Sequence, residues 1–261
     1  MVDVYNVTKD RMAAGDVALG VALRIGRSVD IIPAMNTAGF DWLFLDLEHG
    51  AMSVDTASQI ATASLQANIT PIARVPTGDF NMASRLLDNG ALGIVMPHVD
   101  TAKEAAAIAE RLRFPPQGHR SVFGGMPHFG FAPTPVATMS AVINRQTLLV
   151  VMLETPEAIA NADSIAAVDG IDVLFIGTND LCAEMGIPGK IGDPSIRAAY
   201  QTTIAACRKH GKWAGMGGLY DPALMKEHIE AGVQFVLAGT DLTFMMNAAG
   251  QKVKELRDRG R

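Results

Sequence analysis

The sequence predicts an α/β protein, a single-domain (β/α)8 barrel over residues 1–261. Three observations predict it: eight short apolar runs, alanine-rich helical stretches between most of them, and polar residues where the runs end. The runs are Val17 to Ile25, Trp42 to Leu47, Thr70 to Val75, Gly93 to His98, Thr147 to Glu154, Val173 to Thr178, Trp213 to Gly218 and Phe235 to Thr240. Trp42 to Leu45 is uninterrupted apolar, as expected of a strand covered on both faces. Helical stretches lie at Val54 to Ala67, Thr101 to Arg111, Pro194 to His210 and Pro222 to Ala231. Asp193-Pro194 and Asp221-Pro222 each place an N-cap acid before a proline at the first helical position. A doubly wound sheet would usually need fewer strands and often carries a glycine-rich nucleotide loop after the first; neither is seen. The segment Phe114 to Pro135, FPPQGHRSVFGGMPHFGFAPTP, is too rich in proline and glycine for a helix and too long for an ordinary connector. It is expected to lie over the active site.

Composition bounds the partners. Hydrophobic residues make up 49% and charged residues 19%, which suits a compact globular chain. A net charge of −5 and a pI near 5.7 argue against a nucleic-acid partner. The N-terminus has scattered charges and no apolar core of signal-peptide length, and no run has the length needed to cross a bilayer, so a cytoplasmic location is expected. Cys182 and Cys207 form no CxxC pair and read as two reduced, packed thiols.

Barrels of this kind place their chemistry at the carboxyl ends of the strands. Those positions hold Glu48 and His49 after the second strand, Arg74 after the third, His98 after the fourth, Glu154 after the fifth and Asp180 after the sixth. Strands seven and eight end in GMGG and AGTD. Glu154 and Asp180, one β/α unit apart, either hold a hard divalent cation with open positions for substrate and water, or are solvated loop acids. Arg74 in PIARVP needs an anionic partner or a substrate oxygen, because an unpaired buried charge is very costly. None of the eight lysines ends a strand, and Lys212 precedes strand seven, which disfavours a Schiff-base mechanism.

With these residues assembled, the chain resembles the HpcH/HpaI aldolase family, the metal-dependent class II pyruvate aldolases, through six motifs in order: GFDWLFLDLEHG, PIARVP, LLDNGALGIVMPHVDT, RFPPQGHRS, VVMLETPEA and GIDVLFIGTNDL. The resemblance implies that Glu154 and Asp180 ligate Mg2+, Mn2+ or Co2+, and that the keto acid chelates through its carboxylate and 2-oxo oxygens. It implies that Arg74 bonds the oxo oxygen and stabilises the enolate, while backbone N–H groups near Asn179 and Asp180 hold the carboxylate. His49, oriented by Asp46, would be the general acid/base, through a water. Asp88 in LLDNGA matches an aspartate that the family supplies from a neighbouring subunit, which implies a homo-oligomer, a hexamer by resemblance. The implied reaction is reversible cleavage of a 4-hydroxy-2-oxo acid to pyruvate (or hydroxypyruvate) and an aldehyde. Many relatives have a proline and alanine or threonine before the ligand aspartate, whereas this chain has Gly177-Thr178-Asn179-Asp180. The loop SVFGGMPHFGFAP looks particular to this sequence and bears on the aldehyde partner.

Of the remaining histidines, His98 reads as a structural or rim residue. His119 and His128 either contact the aldehyde or are solvated, and His210 and His228 read as surface residues. The fourteen methionines, Met245-Met246 among them, read as core or interface filler. One rival reading is a citrate-lyase-like C–C lyase acting on acyl-CoA thioesters, which should carry a clustered Lys/Arg patch that is not seen. A non-catalytic, metal-free barrel is the other.

Overall fold

A computed structural model describes residues 4–258. Eight strands, β1 (Ala18–Leu23), β2 (Trp42–Asp46), β3 (Thr70–Arg74), β4 (Gly93–Met96), β5 (Leu148–Leu153), β6 (Val173–Gly177), β7 (Trp213–Gly217) and β8 (Val233–Thr240), pair in sequence order and in parallel. β8 closes onto β1, so the sheet is a barrel without an edge, as expected.

Strand side chains alternate between two faces, and this period of two sorts the residues. Leu43, Leu45, Leu149 and Val151 face the helices and pack in the outer core. Ala22, Trp42, Phe44, Ile72, Val150, Met152, Phe175 and Phe235 fill the barrel interior. Trp42 stacks on Phe235 with ring centroids 4.1 Å apart, and its indole donates to the Ala18 carbonyl at 3.3 Å. Gly20, Gly215 and Gly217 are glycines because aromatic rings occupy the space of a side chain. A Cβ would lie 2.1 Å from Trp42 at Gly20, and 2.7 and 2.4 Å from Phe175 at Gly215 and Gly217. The same alternation continues past the apolar layer: Asp46 is two residues beyond Phe44, Arg74 beyond Ile72, Glu154 beyond Met152 and Arg24 beyond Ala22. The strands therefore raise a charged layer directly on top of an apolar plug.

The helix starts follow the sequence signals. Asp193 caps Pro194–His210 by accepting from Ser195, and Asp221 caps Pro222–Ala231 by accepting from Ala223 and Leu224. Helix Ala102–Leu112 opens with a capping box between Thr101 and Glu104. A short helix, Val7–Ala13, closes the amino-terminal end of the barrel, where Asn6 donates to the carbonyls of Leu92 (3.1 Å) and Gln146 (2.6 Å) and Met12 joins the interior core.

Three expectations are corrected. The segment Phe114 to Pro135 does not lie over the carboxyl ends of its own strands. Helix Ala102–Leu112 runs back down the barrel wall, so the segment begins at the opposite end. There Arg113 donates to the carbonyls of Thr147 and Gly170, just before β5 and β6, and Phe114 exchanges two hydrogen bonds with Asn144. His128, within the segment, is buried with Nε2 3.2 Å from the Ala91 carbonyl, and burial pushes its pKa down to about 4. Within this chain it therefore neither is solvated nor reaches the mouth. His228 is not a surface residue either: it is buried and stacked on Tyr200 at 3.9 Å.

Candidate active site

At the carboxyl end of the barrel, Arg74 is the hub. Nε donates to Asp46 Oδ1 at 3.0 Å and Nη2 to Asp46 Oδ2 at 2.7 Å, a two-pronged pairing, while Nη1 lies 3.2 Å from Glu48 Oε2. The pairing follows from register, because Asp46 and Arg74 are direct partners across β2 and β3. Burial alone would raise the Asp46 pKa; the bonds and charge of Arg74, with N–H donors of His49 and Glu48, outweigh it and hold the carboxyl below its ordinary value. The guanidinium is held charged in return, its pKa raised by Asp46, Glu48 and Glu154 against burial. Its plane also lies over the Phe44 ring, 5.1 Å from the centroid.

His49 reaches the site from the loop after β2. Asp46 Oδ1 accepts from its backbone N–H at 3.2 Å, so Asp46 fixes the loop that carries His49, while the imidazole itself stands 60% exposed with Nε2 3.7 Å from Glu48. Glu48, read from the sequence only as a strand-end acid, touches Arg74, His49 and His98.

Across the barrel, Glu154 is buried and faces Gly177, where a Cβ would come within 2.7 Å of its side chain. Burial pushes the Glu154 pKa up to about 7, aided by the nearby charges of Asp180 and Glu48 and opposed by contacts from His98. His98 holds a left-handed backbone conformation (φ 54°) that aims its N–H at Glu154 Oε2, 2.8 Å away, with Nδ1 3.3 Å from the same oxygen. No alternation of residue types announces such a conformation. Asp180 and Asn179 lie in helix Thr178–Glu184, directly after β6.

Arg24, Asp46, His49, Arg74, Asn179 and Asp180 line a cavity of about 250 Å³ whose floor is formed by Phe44, Met152 and Phe175. No lysine lines it. A larger cleft of about 1330 Å³ lies toward the other end of the barrel, but Arg113 and Lys9 there pair with Asp172 and Lys212 binds backbone carbonyls. Asp88, at the end of helix Phe80–Asp88, is also away from this mouth, paired with the buried Arg120 at 2.6 Å.

Among the described residues no three His, Cys, Asp or Glu side chains gather as a ready cation cage. Two carboxylates with open positions beside them are what a shared protein–substrate cation site requires. Burial, aided by the charges of Asp180 and Glu48, raises the Glu154 pKa, and a cation held beside Glu154 and Asp180 would offset both effects. The donor set thus fits a hard divalent ion.

Residues 24–248, which carry every one of these groups except those of the N-terminal helix, match the family model for HpcH/HpaI aldolase/citrate lyase. The chain belongs to this family. Similar proteins include a 4-hydroxy-4-methyl-2-oxoglutarate aldolase of Hapsidospora irregularis, 39% identical over 87% of this chain and 85% of its own length. A hydroxypyruvate/pyruvate aldolase of Cupriavidus necator is 33% identical over 97% of this chain and 93% of its own. The crystal structure of an HpcH/HpaI aldolase from Desulfitobacterium hafniense superposes with a TM-score of 0.91 at 27% identity, covering 98% of this chain and 97% of that one.

Proposed function

We propose that the chain is a divalent-metal-dependent pyruvate-type aldolase, a carbon–carbon lyase that reversibly cleaves a 4-hydroxy-2-oxo acid to pyruvate or hydroxypyruvate and a carbonyl compound. The observation that carries the reading is the Arg74 guanidinium, held by Asp46 and Glu48 at a cavity lined by Asp180 and by no lysine, with Glu154 buried beside its wall at Gly177. The relatives' aldolase names support the same reaction class.

Glu154 and Asp180 would hold Mg2+, Mn2+ or Co2+, which when bound supplies a Lewis acid for the 2-oxo oxygen. Arg74 bonds that oxygen and stabilises the negative charge that develops there as the C3–C4 bond breaks. Backbone N–H groups at Asn179 and Asp180 receive the substrate carboxylate. His49, on a loop fixed by Asp46, takes the proton of the 4-hydroxyl, directly or through a water, and a proton returned to C3 of the enolate completes pyruvate. In this reading Asp88 is presented to a neighbour's His49 in a homo-oligomer, a hexamer by likeness to the family, working in the cytoplasm. No helix among the described residues is long and apolar enough to cross a membrane.

The test is metal dependence with two readouts. Chelation should abolish cleavage, and Mg2+, Mn2+ or Co2+ should restore it. The same ions should raise the melting temperature of the wild type but not of Glu154→Gln. Full activity in excess EDTA, or a borohydride-trapped pyruvate adduct on a lysine, would overturn the reading.

A further inference from the structure

Arg24 lines the mouth, and the aldolase reading leaves it without a task. It stands two residues beyond Ala22 on the inward face of β1. The β1–β2 register pairs Ala22 with Phe44 and Leu23 with Leu45, so one step further Arg24 lies abreast of Asp46, itself abreast of Arg74. Three neighbouring strands thus present Arg, Asp and Arg side by side. The two arginines are not equivalent. Arg74 occupies both Asp46 oxygens at 3.0 and 2.7 Å, and its side chain is 11% exposed. Arg24 makes a single long contact, Nη1 to Asp46 Oδ2 at 3.4 Å, and its side chain is 41% exposed toward the cavity. Asp46 is already neutralised by its partner, so most of the donor capacity of the Arg24 guanidinium remains free.

The backbone beneath Arg24 is fixed while its head is not. The nine-tenths-buried Asp241 carboxylate accepts from the N–H of Arg24 at 2.7 Å, of Ile25 at 3.1 Å and of Gly26 at 2.7 Å. Arg27 adds bonds to the carbonyls of Arg24 and Gly26, both at 2.9 Å. A planar, permanently charged fork on a rigid base, open to a cavity, is a carboxylate receptor. Its place in the barrel says which carboxylate. β1 is diametrically opposite β5, the strand that ends in Glu154. A substrate whose 2-oxo acid end sits by Glu154 and Asp180 extends its C4 end toward β1.

We propose that Arg24 binds a carboxylate on the C4 side of the substrate, so that the preferred substrates are 4-hydroxy-2-oxo dicarboxylates and the carbonyl product is itself an oxo acid. The inference rests on the aldolase reading above. It is tested by the ratio of kcat/KM for two substrates that differ in that group: 4-hydroxy-4-methyl-2-oxoglutarate, which gives two pyruvates, and 4-hydroxy-2-oxopentanoate, which gives pyruvate and acetaldehyde. Hydrogen–deuterium exchange at C3 of pyruvate, which needs no carbonyl partner, is measured alongside. Arg24→Met should lower the dicarboxylate-to-monocarboxylate ratio about 10- to 100-fold, the effect of losing charged hydrogen bonds. Arg24→Lys should give an intermediate ratio, since the charge stays and the fork is lost. An unchanged ratio in Arg24→Met, with both rates reduced equally, would give Arg24 a purely structural role and overturn the inference while leaving the aldolase reading intact. A wild-type protein that neither exchanges pyruvate nor cleaves either substrate would overturn that reading, and the inference with it.

Discussion

Arg74→Lys separates the geometry of the site from its charge. The guanidinium makes three charged contacts at once, with both Asp46 oxygens (3.0 and 2.7 Å) and with Glu48 (3.2 Å). An ammonium carries the same charge on one nitrogen and cannot bond both Asp46 oxygens in parallel while still facing the substrate. Losing one donor aimed at a developing oxyanion costs about 2.7–4 kcal/mol, or about 10²–10³ in kcat. The cost to folding is smaller, because Asp46 keeps a cationic neighbour; the penalty of about 3–5 kcal/mol for breaking a buried pair applies to Arg74→Met instead. The lysine variant should therefore melt close to the wild type, while cleavage, followed by coupling pyruvate release to lactate dehydrogenase, falls about 10²–10³-fold. The methionine variant adds a pH signature. In the wild type the folded Asp46 pKa is depressed below 3.8, so its stabilisation is fully present above that pH and is lost as pH falls through the folded value. Without Arg74 the burial that acts to raise this pKa is no longer outweighed by a charged partner. The stability deficit of Arg74→Met should then be greatest near neutrality and shrink as acid protonates Asp46. Lysine-variant turnover within about threefold of wild type, or a methionine-variant deficit independent of pH, would refute the assignment of Arg74.

Gly20→Ala should destabilise the barrel by about 3 kcal/mol, the upper range for overpacking, because its Cβ would fall 2.1 Å from the Trp42 ring. That corresponds to a drop in melting temperature of about 6–12 °C, and an unchanged value would show that the ring is free to move. An inactive His49→Ala chain mixed with an inactive Asp88→Asn chain, which keeps an acceptor for the buried Arg120, should regain part of the activity if neighbouring subunits share sites. Persistent inactivity after verified subunit exchange would confine the chemistry to one chain.

What the sequence announced, it announced through periodicity. The apolar runs ending in Asp46, Arg74 and Glu154 give both the strands and, by counting in twos, which residues face the interior. Arg24 obeys the same count from Ala18 through Ala22, yet it follows a leucine in a run that reads on to Ile25, so its position at the mouth emerges only once the strand is seen to end at Leu23. Other features had no local signal. Helix Val7–Ala13 spans seven residues; its anchorage comes from Asn6 bonding carbonyls 86 and 140 residues away. The buried face of His228 depends on Tyr200 from another helix. The misplaced segment Phe114 to Pro135 is a different case, because composition marks a long loop without saying which end of the barrel it occupies. Topology does say: a helix that follows a parallel strand returns the chain to the strand's beginning, and Arg113, bonded to Thr147 and Gly170, stands where that return finishes.

That topology has a consequence for the division of labour between the two barrel ends. Every parallel strand delivers its last inward side chain to the same rim, so the mouth collects charge from β1, β2, β3 and β5 without any long loop. Arg24 and Arg74 stand on the β1–β3 side together with Asp46 and Glu48, while Glu154 and Asp180 stand on the β5–β6 side. With a cation between Glu154 and Asp180 and a second carboxylate at Arg24, an elongated, doubly charged substrate would be held at both ends. The opposite end of the barrel carries the buried Arg120 paired with the half-buried Asp88, and a loop segment that leaves its own mouth uncovered. In a shared-site assembly this is the end that a neighbour would have to receive, which is why the Asp88 mixture and the Arg24 substrate ratio interrogate different halves of the molecule.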